Sequence, residues 1–238
     1  MWHNYSEGRI PGPPACGDPS FILYDAGTGF PSACIPGDFA AMDNTLNYYA
    51  QNADQFVSST RDADMRPHRE RFLRLLPPGA HILDFGCGSG RDTKAFLDRG
   101  YVVTAVDGSE QLCALASAYT GIPIRRMLFR DLDDVDCYDG IWASASLLHV
   151  PFNDLPAIFR RMITALKPGG IIYSSFKYGS FEGNRGGRYF TDLTEEKSAE
   201  LLRGLPELTL LDQWITNDVR PSRSDERWLN LICRGPQA

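Results

Sequence analysis

The sequence predicts a doubly wound α/β fold: a seven-stranded, mostly parallel sheet that ends in an antiparallel hairpin. Three observations predict it. Between residues 81 and 176, short and continuously apolar runs alternate with amphipathic segments at helical spacing, the pattern of a parallel sheet covered on both faces. The first run ends in an acid, Asp84, followed by Gly86, Gly88 and Gly90, and the next run ends in a second acid, Asp107. Residues 208–218 and 227–234 read as two strands joined by a short charged loop, too short for a parallel crossover and therefore a hairpin.

The first 41 residues hold six glycines and six prolines with no sustained periodicity, a density that prevents regular structure. They read as an irregular arm, either loosely attached or lying upstream of a natural start at Met42. Residues 21–27 could form one short strand. No basic start leads into an uninterrupted apolar segment, so the arm is a poor signal peptide. Residues 42–238 make the domain. Asp43 can cap a helix reaching residue 57, and residues 66–76 give a second, with Phe72, Leu73, Leu75 and Leu76 on one face and Pro77-Pro78-Gly79 as its stop. The alternation then runs strand 81–85, helix 92–99, strand 102–106, helix 110–119, short strand 124–129, strand 140–145, helix 155–166 and strand 171–176, with Lys167-Pro168-Gly169-Gly170 as the turn into the last. No internal repeat and no second domain is visible.

Composition limits the function classes. With 238 residues, 43% of them hydrophobic, the chain can bury a real core. A net charge of −6 argues against nonspecific coating of DNA or RNA. No apolar run approaches the roughly twenty residues of a membrane span. Cys16, Cys34, Cys87, Cys113, Cys137 and Cys233 are scattered, without a C-x-x-C pair or nearby ligand-spaced histidines. They read as reduced thiols of a cytoplasmic protein, with no metal site expected.

In such a sheet a ligand lies beyond the carboxyl ends of the strands, where strand order reverses. Gly86, Gly88 and Gly90 let backbone approach it, and Asp107 stands where an acid accepts hydrogen bonds from ribose hydroxyls. This much fits a nicotinamide or flavin cofactor and also S-adenosylmethionine. Three features discriminate. The loop is G-C-G-S-G and not the G-x-G-x-x-G that lays a pyrophosphate on a helix N-terminus. Asp84, just before it, would repel a pyrophosphate but could receive the ammonium of a methionine moiety. Asp131-Leu132 follows the third strand, where a carboxylate or backbone group could accept from an adenine amino group.

LDFGCGSGRDT, AVDGS, RDLDD, YDGIWASASLLHV and LKPGGIIYSSF, in that order and spacing, resemble the successive motifs of class I S-adenosylmethionine-dependent methyltransferases. The likeness is to the small-molecule branch that contains tellurite-resistance and quinone-biosynthesis type enzymes, and it covers about residues 44 to 234. It implies a Rossmann-like methyltransferase fold, S-adenosyl-L-methionine as cofactor, and cofactor contacts at Asp84, Gly86, Cys87, Gly88, Asp107, Gly108 and Asp131, with Ser109 and Leu132 as second contacts. Tyr48 and Tyr49 match where such enzymes close a lid over the methionine end, or else pack an amphipathic helix. Arg91 could pair with the cofactor carboxylate or sit solvated at a helix start.

The acceptor should lie at the same edge. After the fourth strand comes Ser144-Ala-Ser146-Leu-Leu-His149-Val-Pro151, in which His149 is placed to act as a base or to hold the following loop. The segment after the fifth strand reads as a glycine-rich loop carrying Lys177, Tyr178, Glu182, Arg185 and Arg188, and the hairpin tip adds Arg220, Arg223 and Arg227. Arginine forks suit an oxyanion, which predicts an anionic small-molecule acceptor contacted by Tyr178, Arg185, Arg188 and Arg220. Otherwise these arginines are solvated and pair with Asp192, Asp218, Asp225 and Glu226. The N-P-P-Y-like tetrapeptide of amino-methylating DNA enzymes and the Pro-Cys of cytosine-carbon enzymes are both missing, and no basic stripe or stacking platform is visible. Two other functions remain open: methylation of tRNA or another nucleic acid with a partner protein, and sensing of S-adenosylmethionine by a non-catalytic subunit.

Overall fold

The computed structural model describes residues 39–220 and 223–237; the arm predicted over 1–41 falls outside them up to residue 38. Its elements begin with α1 (Phe39–Gln51), α2 (Ala53–Thr60) and α3 (Arg66–Leu73). The alternating core follows as β1 (His81–Phe85), α4 (Arg91–Leu97), β2 (Val102–Asp107), α5 (Glu110–Thr120), β3 (Arg125–Arg126), β4 (Tyr138–Ala143), α6 (Leu155–Ala165) and β5 (Leu166–Lys177). The chain closes with β6 (Glu182–Arg185), β7 (Arg188–Thr191), α7 (Glu195–Arg203), β8 (Thr209–Asn217) and β9 (Arg227–Arg234).

Seven strands form one sheet in the order β3-β2-β1-β4-β5-β9-β8, and β6 with β7 form a separate two-stranded ribbon. Strands β1 to β5 pair in parallel. Only β9 runs against them, inserted between β5 and β8 and antiparallel to both. The predicted doubly wound sheet with its terminal hairpin is therefore the fold. Strand order reverses between β1 and β4, so the crevice for a ligand opens at the carboxyl ends of those two strands.

Successive side chains on β1 enter opposite faces. Leu83 and Phe85 join Ile141, Phe159 and Met162 on the face covered by α6. Ile82 joins Phe72, Phe96, Trp142 and Tyr173 on the face covered by α3 and α4. Trp142 and Tyr173 stack with centroids 3.9 Å apart, and each such fully buried side chain contributes roughly 1.5–3 kcal/mol. Asp84 shares the second face with Ile82, which places a carboxylate at the rim of an aromatic layer.

Four differences from the sequence reading have local causes. The helix predicted over 43–57 is two helices, because the Asn52 side chain donates to the Tyr48 carbonyl at 2.8 Å and its backbone leaves the helical region. The predicted third strand shrinks to Arg125–Arg126, since beyond Asp107 the strand it pairs with has ended and residues Phe129–Asp131 make a 3-10 turn. The predicted loop over 177–193 contains the β6–β7 ribbon, turned by Gly186 and Gly187 at φ 57° and 79°, the left-handed pair a tight hairpin requires. Helix α7 was not foreseen; Thr194 caps it by accepting from Lys197 N at 3.3 Å. Cys87, Cys113, Cys137 and Cys233 are buried thiols, while Cys16 and Cys34 lie outside the described residues. No helix among the described residues is long and apolar enough to cross a membrane.

Candidate active site

The glycine loop joins β1 to α4 with Gly86, Gly88 and Gly90 all at positive φ (88°, 54° and 75°). A side chain at Gly86 would place its Cβ 2.5 Å from Ser146 Cβ, so the loop runs hard against the turn after β4. At the tip of β2, the Asp107 carboxylate accepts from Gly88 N and from Ser109 N, each at 2.9 Å. Burial pushes its pKa up against the pull of these backbone donors.

Asp84 is 2% exposed and accepts from Thr93 Oγ1 at 2.6 Å. Burial, reinforced by the charge of Asp92, raises its pKa to about 7. Asp92 itself is the centre of a buried ionic cluster: it accepts from Arg69 at 2.6 Å, from Arg91 at 2.7 and 3.1 Å, and from Trp142 Nε1 at 3.0 Å. Burial would raise this carboxyl, but the two guanidinium groups hold it down at about 2. Arg91 thus pairs within the protein, and it also reaches the Thr60 carbonyl at 3.3 Å.

Over the mouth, α1 is tied to the β6–β7 ribbon. Tyr189 N donates to Thr45 Oγ1 at 2.9 Å, and the Arg188 guanidinium lies 4.4 Å over the Tyr48 ring. Beneath this latch, His149 Nδ1 sits 2.6 Å from the Tyr189 carbonyl and Nε2 sits 2.9 Å from the Tyr49 hydroxyl. A carbonyl only accepts, so Nδ1 carries the hydrogen and Nε2 accepts from Tyr49. Burial, aided by Arg188 and Lys177, lowers the His149 pKa to about 4, so the ring is neutral at pH 7.

One cavity is walled by Asp84, Gly86, Cys87, Gly88, Arg91, Asp107, Gly108, Tyr49, His149, Arg188 and Arg220, so most of the residues singled out in the sequence converge. Tyr48, Gly90, Glu182 and Arg227 stay off its wall, and so do five of the predicted cofactor and acceptor contacts. Ser109 acts from behind, capping α5 and holding Asp107. Asp131 points outward with its side chain 56% exposed, and Leu132 is buried in the core; Met127, Leu128 and Phe129 form the wall there instead. Tyr178 donates to Glu195 at 2.9 Å, and Arg185 pairs with Asp192 at 3.0 Å between the Phe181 and Phe190 rings.

The remaining cavity cations differ in their pairing. Arg220 forks onto Asp218 at 2.8 and 2.5 Å, Lys177 pairs with Glu226, and Arg223 reaches the same glutamate at 3.6 Å. Arg188 has no carboxylate partner among the described residues. It makes one long hydrogen bond, 3.4 Å to the Tyr49 hydroxyl, and its buried Nε has no partner. The sequence reading missed Leu46, Phe56, His68, Phe129, Phe190 and Asp218, which also line the cavity. Apolar helix positions and a lone histidine give no local sign of facing a ligand.

Residues 82–170 match the family described as a methyltransferase domain. The chain is 31% identical over 149 residues to a ubiquinone biosynthesis O-methyltransferase of Xanthomonas axonopodis pv. citri (strain 306), a match covering 54% of this chain and 62% of that protein. It is 32% identical over 119 residues to a trans-aconitate 2-methyltransferase of Variovorax paradoxus (strain S110), covering 47% and 44%. Among solved structures, the Burkholderia thailandensis 1,6-didemethyltoxoflavin-N1-methyltransferase, with bound 1,6-didemethyltoxoflavin and S-adenosylhomocysteine, superposes with a TM-score of 0.68 at 26% identity, over 90% of this chain and 94% of that one. Residues 82–170 thus carry a methyltransferase domain, and the fold, the glycine loop and these likenesses together support a class I S-adenosylmethionine-dependent methyltransferase with S-adenosyl-L-methionine as cofactor.

Proposed function

We propose that this chain transfers a methyl group from S-adenosylmethionine to a small acceptor that carries a negative charge. The observation that carries the second half is Arg188. Its guanidinium faces the cavity without a carboxylate and with an unpartnered buried Nε, whereas Arg185 and Arg220 are already neutralised by Asp192 and Asp218. A cation held among the Tyr48, Tyr49 and Phe190 rings is weakly hydrated and suited to an oxyanion or a delocalised anion. The anion pocket read from three arginines thus narrows to one.

The cavity fits the cofactor. Gly86 and Gly88 offer bare backbone, Asp107 offers a buried carboxylate to ribose hydroxyls, and Asp84 faces the place for an ammonium. Tyr49 closes the opposite wall, with Cys87 and Gly108 lining the loop side. The bound cofactor supplies an electrophilic methyl group, so the protein's work is to align the acceptor in a dry pocket. If the acceptor must lose a proton, Tyr49 and His149 provide a route. A proton arriving on the Tyr49 oxygen releases the hydroxyl hydrogen toward His149 Nε2. An imidazole of such low basicity serves only an acidic acceptor, consistent with one bound as its anion.

The relatives' names fit a small-molecule acceptor: one is a ubiquinone biosynthesis O-methyltransferase, another a trans-aconitate methyltransferase. The test is a radiolabelled methyl-transfer screen comparing carboxylates, acidic phenols and ring N–H acids with their neutral analogues. We expect product from the anions, a raised KM in Arg188→Gln, and an unchanged affinity of that variant for S-adenosylhomocysteine. Transfer to neutral analogues at the same rate would refute the charge assignment.

A further inference from the structure

Around Arg91, which reaches the Thr60 carbonyl, the cavity wall is also formed by Met65, His68, Asp218 and Arg220. Thr60 ends α2, Met65 immediately precedes α3 and His68 lies within it, Arg91 opens α4, and Asp218 and Arg220 sit at the tip of the β8–β9 hairpin; apart from Arg91 all lie outside the stretch that matches the methyltransferase family. His68 is the unexplained group here. It is 6% exposed, with its ring beside Trp214 at 6.0 Å and edge-on to Tyr173 at 6.5 Å. Its Nδ1 is buried and has no hydrogen-bond partner among the described residues. Leaving such an atom unpaired costs about 1–3 kcal/mol, so a group entering the cavity is the natural partner.

The charges around it indicate what that group is. Three guanidinium groups, of Arg69, Arg91 and Arg220, meet two carboxylates, of Asp92 and Asp218, which leaves one positive charge in surplus. Asp84, on the loop side, accepts from the Thr93 hydroxyl, makes no direct ion pair among the described residues and feels the Arg91 charge only at longer range. A surplus cation with a hydrogen-bond donor, next to a buried carboxylate, complements an α-amino acid zwitterion: ammonium toward Asp84, carboxylate toward His68 and Arg91. We propose that His68, donating from Nδ1, reads the α-carboxylate at the amino acid end of the cofactor and so discriminates against adenosine thioethers that lack it. Neutrality suits this role, because burial lowers the His68 pKa and the neutral ring can carry its hydrogen on Nδ1.

This inference rests on the cofactor assignment, and the experiment separates the two. The full chain is titrated calorimetrically with S-adenosylhomocysteine and with 5′-methylthioadenosine, as wild type, His68→Phe and His68→Asn. The phenylalanine keeps the ring packing and removes the nitrogens, while asparagine returns an amide near the Nδ1 position. We expect wild type to favour S-adenosylhomocysteine and His68→Phe to bind it roughly ten- to a hundredfold more weakly, the loss of one charge-assisted hydrogen bond. Affinity for 5′-methylthioadenosine should stay within about twofold, and His68→Asn should recover most of the discrimination. An unchanged ratio in His68→Phe, or parallel weakening of both ligands, overturns the role of His68. Failure of wild type to bind either ligand overturns the cofactor assignment as well.

Discussion

Tyr49 gives its hydroxyl hydrogen to His149 Nε2 across 2.9 Å, because the other ring nitrogen must spend its own hydrogen on the Tyr189 carbonyl. The residues stand 100 positions apart in the chain, so α1 and the turn after β4 are joined through a single proton-bearing contact at the cavity wall.

The contact makes His149 a marker of pH sensitivity. Its folded pKa, about 4, lies below the usual 6.5, so the folded state resists protonation. The stability it contributes is present above pH 6.5 and is lost as pH falls toward 4, for a total of about 3 kcal/mol at 1.36 kcal/mol per unit. Urea unfolding of wild type and His149→Gln should therefore converge between pH 7 and 4. Parallel curves would count against a neutral buried ring.

Asp84 has the opposite sign. Its folded pKa is raised to about 7, so the stability linked to its protonation is present below pH 3.8 and lost as pH rises through 7. In ligand-free protein at pH 8, Asp84→Asn should raise stability by up to about 4 kcal/mol. The same variant should bind S-adenosylhomocysteine poorly, since the ammonium then meets no charge. For wild type, affinity should fall about tenfold per pH unit below 7. Calorimetry from pH 5.5 to 8 checks this, and a flat profile would show that Asp84 is ionised before the cofactor arrives.

Gly86 should not accept a side chain. Alanine there would combine φ 88° with a Cβ 2.5 Å from Ser146 Cβ, and the turn after β4 is itself strained, with Ala145 at φ 51°. We expect Gly86→Ala to cost about 1–3 kcal/mol of unfolding free energy and to abolish cofactor binding. Denaturant titration measures the first and calorimetry the second.

Asp92 anchors the floor. Removing it in Asp92→Ala leaves Arg69 and Arg91 buried without their shared carboxylate, a change expected to cost about 3–5 kcal/mol. Thermal denaturation of the variant at pH 7 should show the loss, and a melting temperature within 2 °C (roughly 1 kcal/mol or less) of wild type would contradict the cluster's structural role.

What could be read in the sequence follows how locally each feature is encoded. Asp84, the glycines and Asp107 advertise themselves because a parallel strand, a turn and a second strand tip must follow one another in the chain. Asn-Arg-Gly186-Gly187-Arg was an equally local signal for the β6–β7 ribbon, passed over because glycine density resembled a loop. Thr194 followed by Glu195 and Glu196 was a helix start of the same kind. The arginines were harder. Arg220 lies two residues from Asp218 and Arg185 seven from Asp192, yet Arg188, in the same ribbon as Arg185, faces the cavity uncompensated. The two face each other across the turn and both lie over the Phe190 ring; what separates them is Asp192 beside Arg185 and α1 beside Arg188. His68 and Trp214 are farther apart still, and nothing short of the folded sheet brings them into contact.

The position of β9 has a consequence for how the chain is made. Strand β8 leaves the ribosome before β9, yet its only neighbour in the sheet is β9. Until β9 slots in, β5 presents an open edge, and the hairpin tip bearing Asp218 and Arg220 has no support over the cavity. The nucleotide half, from β1 to β4, can assemble from contacts already synthesised, while the other wall waits for the last strand, so an emerging chain passes through a stage with half a binding site and an exposed, aggregation-prone sheet margin.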